Sequence, residues 1–118
     1  LFLGVSYKGD VGDVRNTPSE PLYDYLSKHN CNITLHDPYV SFWKENKINP
    51  DLEYHLNKSY EIIIICTNHT IYKNQYMLDL LMSISPTFIF DTIGLFSNKQ
   101  ISILKTKHQI KVLGRGDL

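Results

Sequence analysis

The sequence predicts an α/β fold, a doubly wound parallel sheet of about five strands between two layers of helices. Two observations carry this prediction. Strand-like and helix-like segments alternate about five times along the 118 residues, as crossover connections between parallel strands require. Residues 60–67 contain four consecutive isoleucines, and such a β-branched run is typical of a strand covered on both faces. We therefore expect residues 60–67 to form the central strand.

The composition is that of one small globular domain. Hydrophobic residues make up 42% and charged residues 20%, which is close to the globular average and excludes disordered and collagen-like chains. Twelve basic residues balance twelve acidic ones, so no overall positive field favours nucleic acid or an anionic membrane. The two cysteines, Cys31 and Cys66, predict neither a disulfide framework nor a metal site. A reducing, cytoplasmic setting is expected.

The first two predicted elements are a buried strand over residues 1–6 and a helix that opens at Thr17. Leu22, Tyr25 and Leu26 recur at helical spacing after that point. The residues 17–20 (TPSE) predict a capping box, in which the Thr17 hydroxyl accepts the Glu20 amide and the Glu20 side chain reaches back.

The middle of the chain adds an edge strand and a less regular segment before the central strand. Residues 32–37 alternate apolar and polar side chains, which predicts a half-buried strand towards the edge of the sheet. Residues 41–58 are harder to assign, and a short helix over 51–57 is the favoured regular element there.

The last third predicts a helix over residues 71–84, a strand over 87–91, a helix over 97–106 and a strand over 110–113. The favoured strand order is 2-1-3-4-5, because the first and third strands are the most apolar. A 3-2-1-4-5 order is the alternative. Either arrangement is a Rossmann-like three-layer α/β/α sandwich, and ligands would bind beyond the carboxyl ends of the first and third strands.

The segment after the first strand, residues 7–16 (YKGDVGDVRN), is the most informative stretch. It brings Lys8, Arg15 and a helix N-terminus together, and each of these favours an anion. One interpretation is a phosphate or diphosphate site, in which the flexible Lys8 side chain supplies a positive charge and the planar Arg15 guanidinium forms two hydrogen bonds to the anion. The other interpretation is that Arg15 pairs with Asp10 or Asp13 and braces the loop.

Other candidate functional residues have plainer explanations. Bulky Tyr7 and Lys8 stand where a Gly-x-Gly-x-x-Gly fingerprint needs close backbone approach, so an NAD site is disfavoured in this chain. Asp37 precedes a proline and is expected to shape a turn.

The aromatic residues Tyr39, Phe42 and Trp43 are expected to pack rather than to stack on a base. Residues 67–70 could meet a ligand or cap the next helix, and capping is favoured. The five histidines show no metal-binding spacing.

Several motifs carry a family resemblance across nearly the whole chain. They are residues 3–8 (LGVSYK), 10–18 (DVGDVRNTP), 36–40 (HDPYV), 91–94 (DTIG) and 113–117 (LGRGD). They resemble the carboxyl-terminal UDP-binding domain of the UDP-glucose/GDP-mannose dehydrogenase family. The likeness is strongest to members that act on UDP-N-acetylhexosamines such as UDP-N-acetylmannosamine.

The resemblance implies that residues 1–118 are one UDP-binding domain, the carboxyl-terminal piece of a longer enzyme. Such enzymes oxidise the sugar C6 alcohol to a uronic acid for polysaccharide biosynthesis. They do so in two NAD-dependent hydride transfers through a cysteine thiohemiacetal. NAD and the catalytic cysteine would belong to the missing domains, and the full-length enzyme would be a homodimer. No catalytic, cofactor-binding or metal-binding residue is expected in this chain.

By the same resemblance, Tyr7 and Lys8 match the aromatic-lysine pair that meets the UDP-sugar, and Arg15 matches the arginine of an Asp-x-Arg motif. Ile93 departs from the basic residue that many members place there. The alternative function is a non-catalytic nucleotide-binding or regulatory module of flavodoxin or receiver type. A receiver domain needs a carboxylate at the end of the third strand, where this sequence has Cys66 and Thr67.

Overall fold

A computed structural model describes residues 1–117 of the chain. Its helices are α1 (Ser19–Lys28), α2 (Leu52–His55), α3 (Gln75–Ser83) and α4 (Asn98–Leu104). Its strands are β1 (Phe2–Leu3), β2 (Leu35–His36), β3 (Phe42–Trp43), β4 (Asn46–Lys47), β5 (Ile62–Ile65), β6 (Phe88–Asp91) and β7 (Gln109–Val112).

Five of the strands form one parallel sheet in the order β2-β1-β5-β6-β7. In order of the main-sheet strands along the chain this is 2-1-3-4-5, so the favoured prediction is confirmed and the isoleucine run is the central strand. Because all five strands are parallel, the loops that follow them share one edge of the sheet. The candidate site lies at that edge.

The two faces of the sheet carry separate hydrophobic cores. Alternate residues such as Leu3, Ile63 and Ile65 pack under α2, α3 and α4, and all three are fully buried. The opposite face presents Phe2 and Ile64 to α1 and to the segment around β3 and β4. The three-layer sandwich is therefore present, although the two helix layers differ in size.

Strand β1 is shorter than the predicted residues 1–6. Gly4 has a φ of 100°, a left-handed conformation that side chains other than glycine rarely adopt. The turn at Gly4 directs the amides of Val5 and Ser6 away from the neighbouring strand. They donate to the Asp37 carboxylate instead. The strand therefore gives way to a loop after Leu3.

The predicted capping box at the start of α1 is wrong. The Thr17 hydroxyl accepts the Ser19 amide at 3.3 Å and donates to the Ser6 carbonyl at 3.2 Å. The Glu20 carboxylate ion-pairs with Lys44, at 3.3 Å. Thr17 is buried against the loop after β1, so tertiary contacts take the hydroxyl that the sequence pattern assigns to a cap.

Strand β2 lies at the edge of the sheet as predicted, but the predicted half-buried alternation is wrong at His36. This residue is fully buried. Its Nε2 lies 3.0 Å from the Pro50 carbonyl, which can only accept, so Nε2 carries the proton. The unprotonated Nδ1 accepts the Tyr72 hydroxyl at 2.7 Å. With both ring nitrogens bonded, a polar side chain is accommodated in the core.

The segment between β2 and β5 contains a two-residue hairpin that the sequence did not predict. Strands β3 and β4 pair antiparallel through a turn at Lys44 and Glu45, both with left-handed φ values. The Lys44 ammonium lies 3.3 Å from Glu20 and 3.1 Å from Asp24 of α1. The predicted short helix of this segment is confirmed as α2, whose first turn is capped by Asp51.

The last two helices begin at side-chain caps. A 3-10 turn occupies Thr70–Tyr72, and α3 starts after Asn74, which accepts the Met77 amide. Helix α4 starts after Ser97, which forms a complete capping box with Gln100. Helix α3 therefore begins four residues later than the predicted helix over residues 71–84. Within residues 1–117, no helix has the length and apolar character needed to cross a bilayer.

Candidate functional site

The loop after β1, residues 4–18, is wedged between the loops that follow β2 and β5. A side chain at Gly9 would overlap the Asn68 carbonyl of the β5 loop. A Cβ at Gly12 would lie 2.7 Å from the Tyr39 carbonyl of the β2 loop. Contact on both sides leaves the loop little room to shift. We call residues 4–18 the rim loop.

A buried carboxylate, Asp37, holds the beginning of the rim loop. Its Oδ2 accepts the Val5 amide at 2.9 Å, the Ser6 amide at 3.1 Å and the Ser6 hydroxyl at 2.7 Å. Its Oδ1 accepts the Tyr39 amide at 2.8 Å. Burial alone would raise the pKa of the Asp37 carboxyl, but the hydrogen bonds it accepts outweigh burial and lower the pKa. The expected structural role of Asp37 is therefore present in the fold.

His69 connects this carboxylate to the middle of the rim loop. Its Nδ1 accepts the Asp10 amide at 2.9 Å, so Nδ1 carries no proton. Its Nε2 lies 2.9 Å from Asp37 Oδ2 and must be the donor. The ring is fully buried. A neutral imidazole with its proton on Nε2 thus links the loops after β1, β2 and β5.

Asp10 and Thr70 form a second link between the same loops. The Asp10 carboxylate accepts the Thr70 amide at 2.8 Å and the Thr70 hydroxyl at 2.5 Å. The two bonds from Thr70 lower the pKa of Asp10. Asp10 itself has a φ of 61°, a conformation that aspartate tolerates better than most residues. The strained residue is therefore anchored through its own side chain.

Tyr7 and Lys8 stand at the outer surface of the rim loop. The Tyr7 side chain is 55% exposed, and Lys8 is exposed as well. Within residues 1–117, the backbone amides of Lys8 and Gly9 donate no hydrogen bond to the protein. An ammonium group next to two available amides is an arrangement that can bind phosphate oxygens. The predicted substrate-binding role of both residues stays a prediction.

Arg15 is paired with Asp13 and not with Asp10. The guanidinium forms a fork on the carboxylate, with Nη2 2.8 Å and Nε 3.0 Å from its two oxygens. The hydrogen bonds from Arg15 lower the pKa of Asp13 to about 2. The Arg15 side chain is 86% exposed. The pairing expected from the bracing interpretation is present, and contact of Arg15 with a ligand remains a prediction.

The three aromatic residues after β2 separate into two groups. Trp43 is buried and packs edge-on against Tyr23 at 5.3 Å between ring centroids, as expected. Tyr39 is 54% exposed but packs one side of its ring against His69, at 5.2 Å between ring centroids. Phe42 is 56% exposed, so the expectation that it packs is wrong. Successive side chains of a strand point to opposite sides, so Phe42 points to solvent because Trp43 points into the core.

Sequence reasoning missed the part that residues 67–70 play in the site. Helix capping was favoured for them, but the Thr67 hydroxyl donates to the Ser6 carbonyl, and His69 and Thr70 bond to Asp10. Asn74 caps α3 instead. The strand topology could have indicated this role, because polar residues that directly follow two neighbouring parallel strands meet at one edge of the sheet.

The glycines near the rim loop do not create space for a dinucleotide. A Cβ at Gly4 would overlap the Thr67 side chain, and Gly9 and Gly12 face other loops of the protein. A dinucleotide fingerprint uses its glycines to bring the pyrophosphate close to the backbone. These residues therefore do not fit bound NAD.

The remaining titratable groups form no recognisable catalytic or metal-binding set in the described part of the chain. No group of three or more His, Cys, Asp or Glu side chains among residues 1–117 could hold a metal ion. Cys66 lies at the end of the central strand, and burial raises the pKa of its thiol to about 12. It is therefore a poor nucleophile at neutral pH.

These features place the chain in the class of doubly wound α/β domains, whose ligands usually bind at the carboxyl edge of the sheet. Residues 1–98 match the sequence profile described as "UDP-glucose/GDP-mannose dehydrogenase family, UDP binding domain". The chain belongs to this family, and the matched part is its UDP-binding domain.

Two curated relatives share the same name. A UDP-N-acetyl-D-mannosamine dehydrogenase from Methanococcus aeolicus is 35% identical over 79 residues, which cover 62% of this chain and 16% of that protein. The protein of the same name from Methanococcus vannielii is 25% identical over 122 residues, covering 96% of this chain and 26% of the relative. The chain spans about a quarter or less of the length of these relatives.

Solved structures share the fold over nearly the whole chain. An NDP-N-acetyl-D-galactosaminuronic acid dehydrogenase from Methanosarcina mazei Go1 matches with a TM-score of 0.78 and 25% identity, covering 97% of this chain and 24% of that one. A UDP-D-ManNAc dehydrogenase from Pyrococcus horikoshii matches with a TM-score of 0.77 and 23% identity, covering 99% and 25%. The predicted α/β fold is thus shared with dehydrogenase structures about four times longer.

Proposed function

We propose that this chain is the UDP-binding, carboxyl-terminal domain of an NAD-dependent nucleotide-sugar 6-dehydrogenase. The substrate would be a UDP-N-acetylhexosamine of the UDP-N-acetyl-D-mannosamine type, or UDP-glucose. The complete enzyme would oxidise the C6 alcohol to a uronic acid for polysaccharide biosynthesis in the cytoplasm. The observation that carries the proposal is the family match over residues 1–98 together with the braced rim loop that exposes Lys8.

The residues at the outer surface of the rim loop supply the proposed contacts with the substrate. The Lys8 ammonium and the amides of Lys8 and Gly9 would bind the diphosphate. The exposed Tyr7 ring would cover part of the nucleotide sugar. Arg15 would act through Asp13, by fixing the second half of the loop. These contacts lie away from the reacting carbon.

The chemistry itself belongs to other domains in this proposal. Two NAD molecules in turn would each accept one hydride from C6. NAD would be held by an amino-terminal domain, because the glycines here do not fit it. This chain contributes binding energy from the remote UDP part of the substrate, which positions the sugar for reaction elsewhere. We therefore expect the 118-residue chain to bind UDP and to lack dehydrogenase activity. The complete enzyme would be a homodimer.

Replacing Lys8 by alanine should weaken UDP binding. A hydrogen bond to a charged group contributes about 1.5–3 kcal/mol, so the Kd measured by calorimetry should rise between about 12-fold and about 150-fold. Lys28→Ala is the matched control, because Lys28 is also exposed and ends α1, at the opposite edge of the sheet from the rim loop. An equal effect of both substitutions would mean that only the overall charge matters.

A flavodoxin-type binding module is the competing function. It shares the doubly wound fold and would use the same edge of the sheet. Titrating FMN alongside UDP separates the two functions. Preference for UDP supports the dehydrogenase domain, whereas tighter binding of FMN would replace it with the alternative. The carboxylate required by a receiver domain is absent from the end of β5, where Cys66 and Thr67 stand.

A further inference from the structure

The backbone amides of residues 8–9, which donate no hydrogen bond within the described part of the chain, lie between two amides that are held in place. On one side, the Tyr7 amide donates to the Asp13 carbonyl at 2.6 Å, within the rim loop itself. On the other side, the Asp10 amide donates to Nδ1 of His69 at 2.9 Å. The bond to His69 therefore fixes one end of this short segment from outside the rim loop.

The His69 ring can accept the Asp10 amide because Asp37 fixes the position of the ring proton. The Asp37 carboxylate also accepts the Val5 and Ser6 amides, and an ionised carboxylate has no proton to donate. Nε2 of His69, 2.9 Å from the carboxylate, must therefore carry the proton. This leaves the lone pair of Nδ1 free to accept the Asp10 amide.

Two neighbouring aromatic rings keep the His69 imidazole in this orientation. The centroid of the Tyr39 ring lies 5.2 Å from that of His69, and the centroid of the Tyr72 ring lies 5.5 Å from it. The imidazole itself is fully buried, and closely packed side chains have little room to change rotamer. The acceptor nitrogen is therefore presented to the rim loop at a fixed point.

Asp10 connects this bond to the neighbouring free amides. Its φ of 61° is unfavourable for a residue with a Cβ, so contacts must maintain it. Thr70 holds the Asp10 carboxylate, and His69 holds the Asp10 amide. Because the peptide unit is planar, fixing the Asp10 amide also fixes the Gly9 carbonyl. The bond to His69 thus limits rotation of the backbone next to the Gly9 amide.

We propose that His69 is a positioning residue for nucleotide binding, whose Nδ1 holds the Asp10 amide and so keeps the amides of Lys8 and Gly9 directed at the diphosphate. This inference rests on the proposed function, in which the rim loop binds UDP. His69 makes no contact with the nucleotide and acts by keeping the loop in its binding form. Loss of the acceptor lowers the populated fraction of that form and raises the Kd by the same factor.

Two substitutions at position 69 separate the acceptor from the donor. His69→Asn places an amide oxygen near the position of Nδ1, so it keeps the acceptor for Asp10 and loses the donor to Asp37. His69→Gln places an amide nitrogen near the position of Nε2, so it does the reverse. In calorimetry, the UDP Kd of His69→Asn should stay within about twofold of the wild type, and that of His69→Gln should rise about tenfold, the factor for one ordinary hydrogen bond.

His108 supplies the matched control at the amino edge of the sheet. It is buried, its Nδ1 accepts the Thr87 amide at 3.1 Å, and its Nε2 lies 2.6 Å from the Leu81 carbonyl. His108→Gln should lower the melting temperature, as His69→Gln does, but should leave the UDP Kd unchanged. Equal Kd values for the two His69 variants, or an equal rise with His108→Gln, would reduce His69 to a purely structural role and overturn the proposal.

Amide hydrogen exchange of the wild-type chain gives a second result, which does not depend on the variants folding. Coupling is reciprocal, so if the bond between Asp10 and His69 favours UDP, bound UDP must favour that bond. Saturating UDP should slow exchange of the Asp10 amide about tenfold, the factor lost in His69→Gln. Exchange of the Thr87 amide, which donates to His108, should not change.

The outcomes separate this inference from the proposed function. Binding of UDP with unchanged exchange at Asp10 would overturn the positioning role of His69 and leave the proposed function intact. Failure of the wild-type chain to bind UDP would contradict the proposed function, and the positioning role with it.

Discussion

At the scale of single residues, buried polar side chains support the core and the loop that presents Lys8. His36, His69 and Asp37 are fully buried, and all three are hydrogen-bonded. Neutral imidazoles that bond through both nitrogens, as His36 and His69 do, can replace apolar side chains in a core without leaving unpaired groups. The arrangement depends on these rings staying neutral.

Stability should therefore fall in mild acid. Burial lowers the pKa of His36 to about 4, whereas an unfolded histidine has a pKa of about 6.5. Between these values the unfolded state binds more protons, so stability is lost as the pH falls from 6.5 towards 4 and levels off below. From pH 7 to pH 5 the loss from His36 alone is about 2 kcal/mol. His55, whose pKa burial also lowers, adds to it.

Urea denaturation of His36→Gln at pH 7 and pH 5 checks this expectation. The variant should be less stable at pH 7 but should lose about 2 kcal/mol less between the two pH values than the wild type. His29→Gln is the control, because His29 is exposed. A pH dependence that is unchanged in His36→Gln would assign the acid sensitivity to other groups.

The link between His69 and Asp37 should appear as energetic coupling. His69→Leu removes a donor from a buried carboxylate and should cost about 2–3 kcal/mol of unfolding free energy. Asp37→Asn should cost a similar amount, since an amide cannot accept every bond that Asp37 Oδ2 now accepts. The double variant should lose clearly less than the sum. Additive losses would show that the two side chains act independently.

At the scale of elements, the β3–β4 hairpin contains a site for stabilisation. Glu45 has a φ of 64°, and a left-handed conformation costs a residue with a Cβ about 1–2 kcal/mol. Glu45→Gly removes this strain at some entropic cost, so the net gain in unfolding free energy should be about 0.5–1 kcal/mol. Denaturation midpoints measure it. Glu45→Ala keeps the strain and serves as the control, and an equal gain in both would point to the lost charge.

Elements with strong local patterns were predictable, and those set by tertiary contacts were not. The isoleucine run gave β5 and its central position, because a continuous β-branched segment has few alternatives. The capping box at Thr17 failed because the Thr17 hydroxyl bonds to Ser6, a contact that depends on the folded rim loop. The hairpin at Lys44 and Glu45 lacks the Asn-Gly signal by which such turns are recognised.

The candidate site was predictable in position but not in construction. The loop that carries Lys8 and Arg15 lies at the carboxyl edge of the sheet, as the topology predicts, and ligand binding by these residues remains a prediction. The bracing by His69 and Thr70 could not be read from local pattern, because both bond to Asp10 about 60 residues earlier in the chain. Polar residues that follow neighbouring strands indicate a shared site only when the strand order is known.

At the scale of the whole molecule, the two edges of the sheet have different properties. The carboxyl edge carries a braced loop with exposed cationic and aromatic side chains. The amino edge carries a groove lined mainly by apolar side chains, including Phe2, Ile62 and Ile64. In the proposed multidomain enzyme, the carboxyl edge would face the substrate.

The central claim is that the rim loop binds the diphosphate of UDP, and an amide chemical-shift titration of the ¹⁵N-labelled 118-residue chain tests it most directly. UDP should shift amides within residues 7–17, with Lys8 and Gly9 among the largest changes, while uridine at equal concentration should leave them nearly unmoved. Shifts that map to another face of the sheet, or equal shifts with uridine, would contradict the claim.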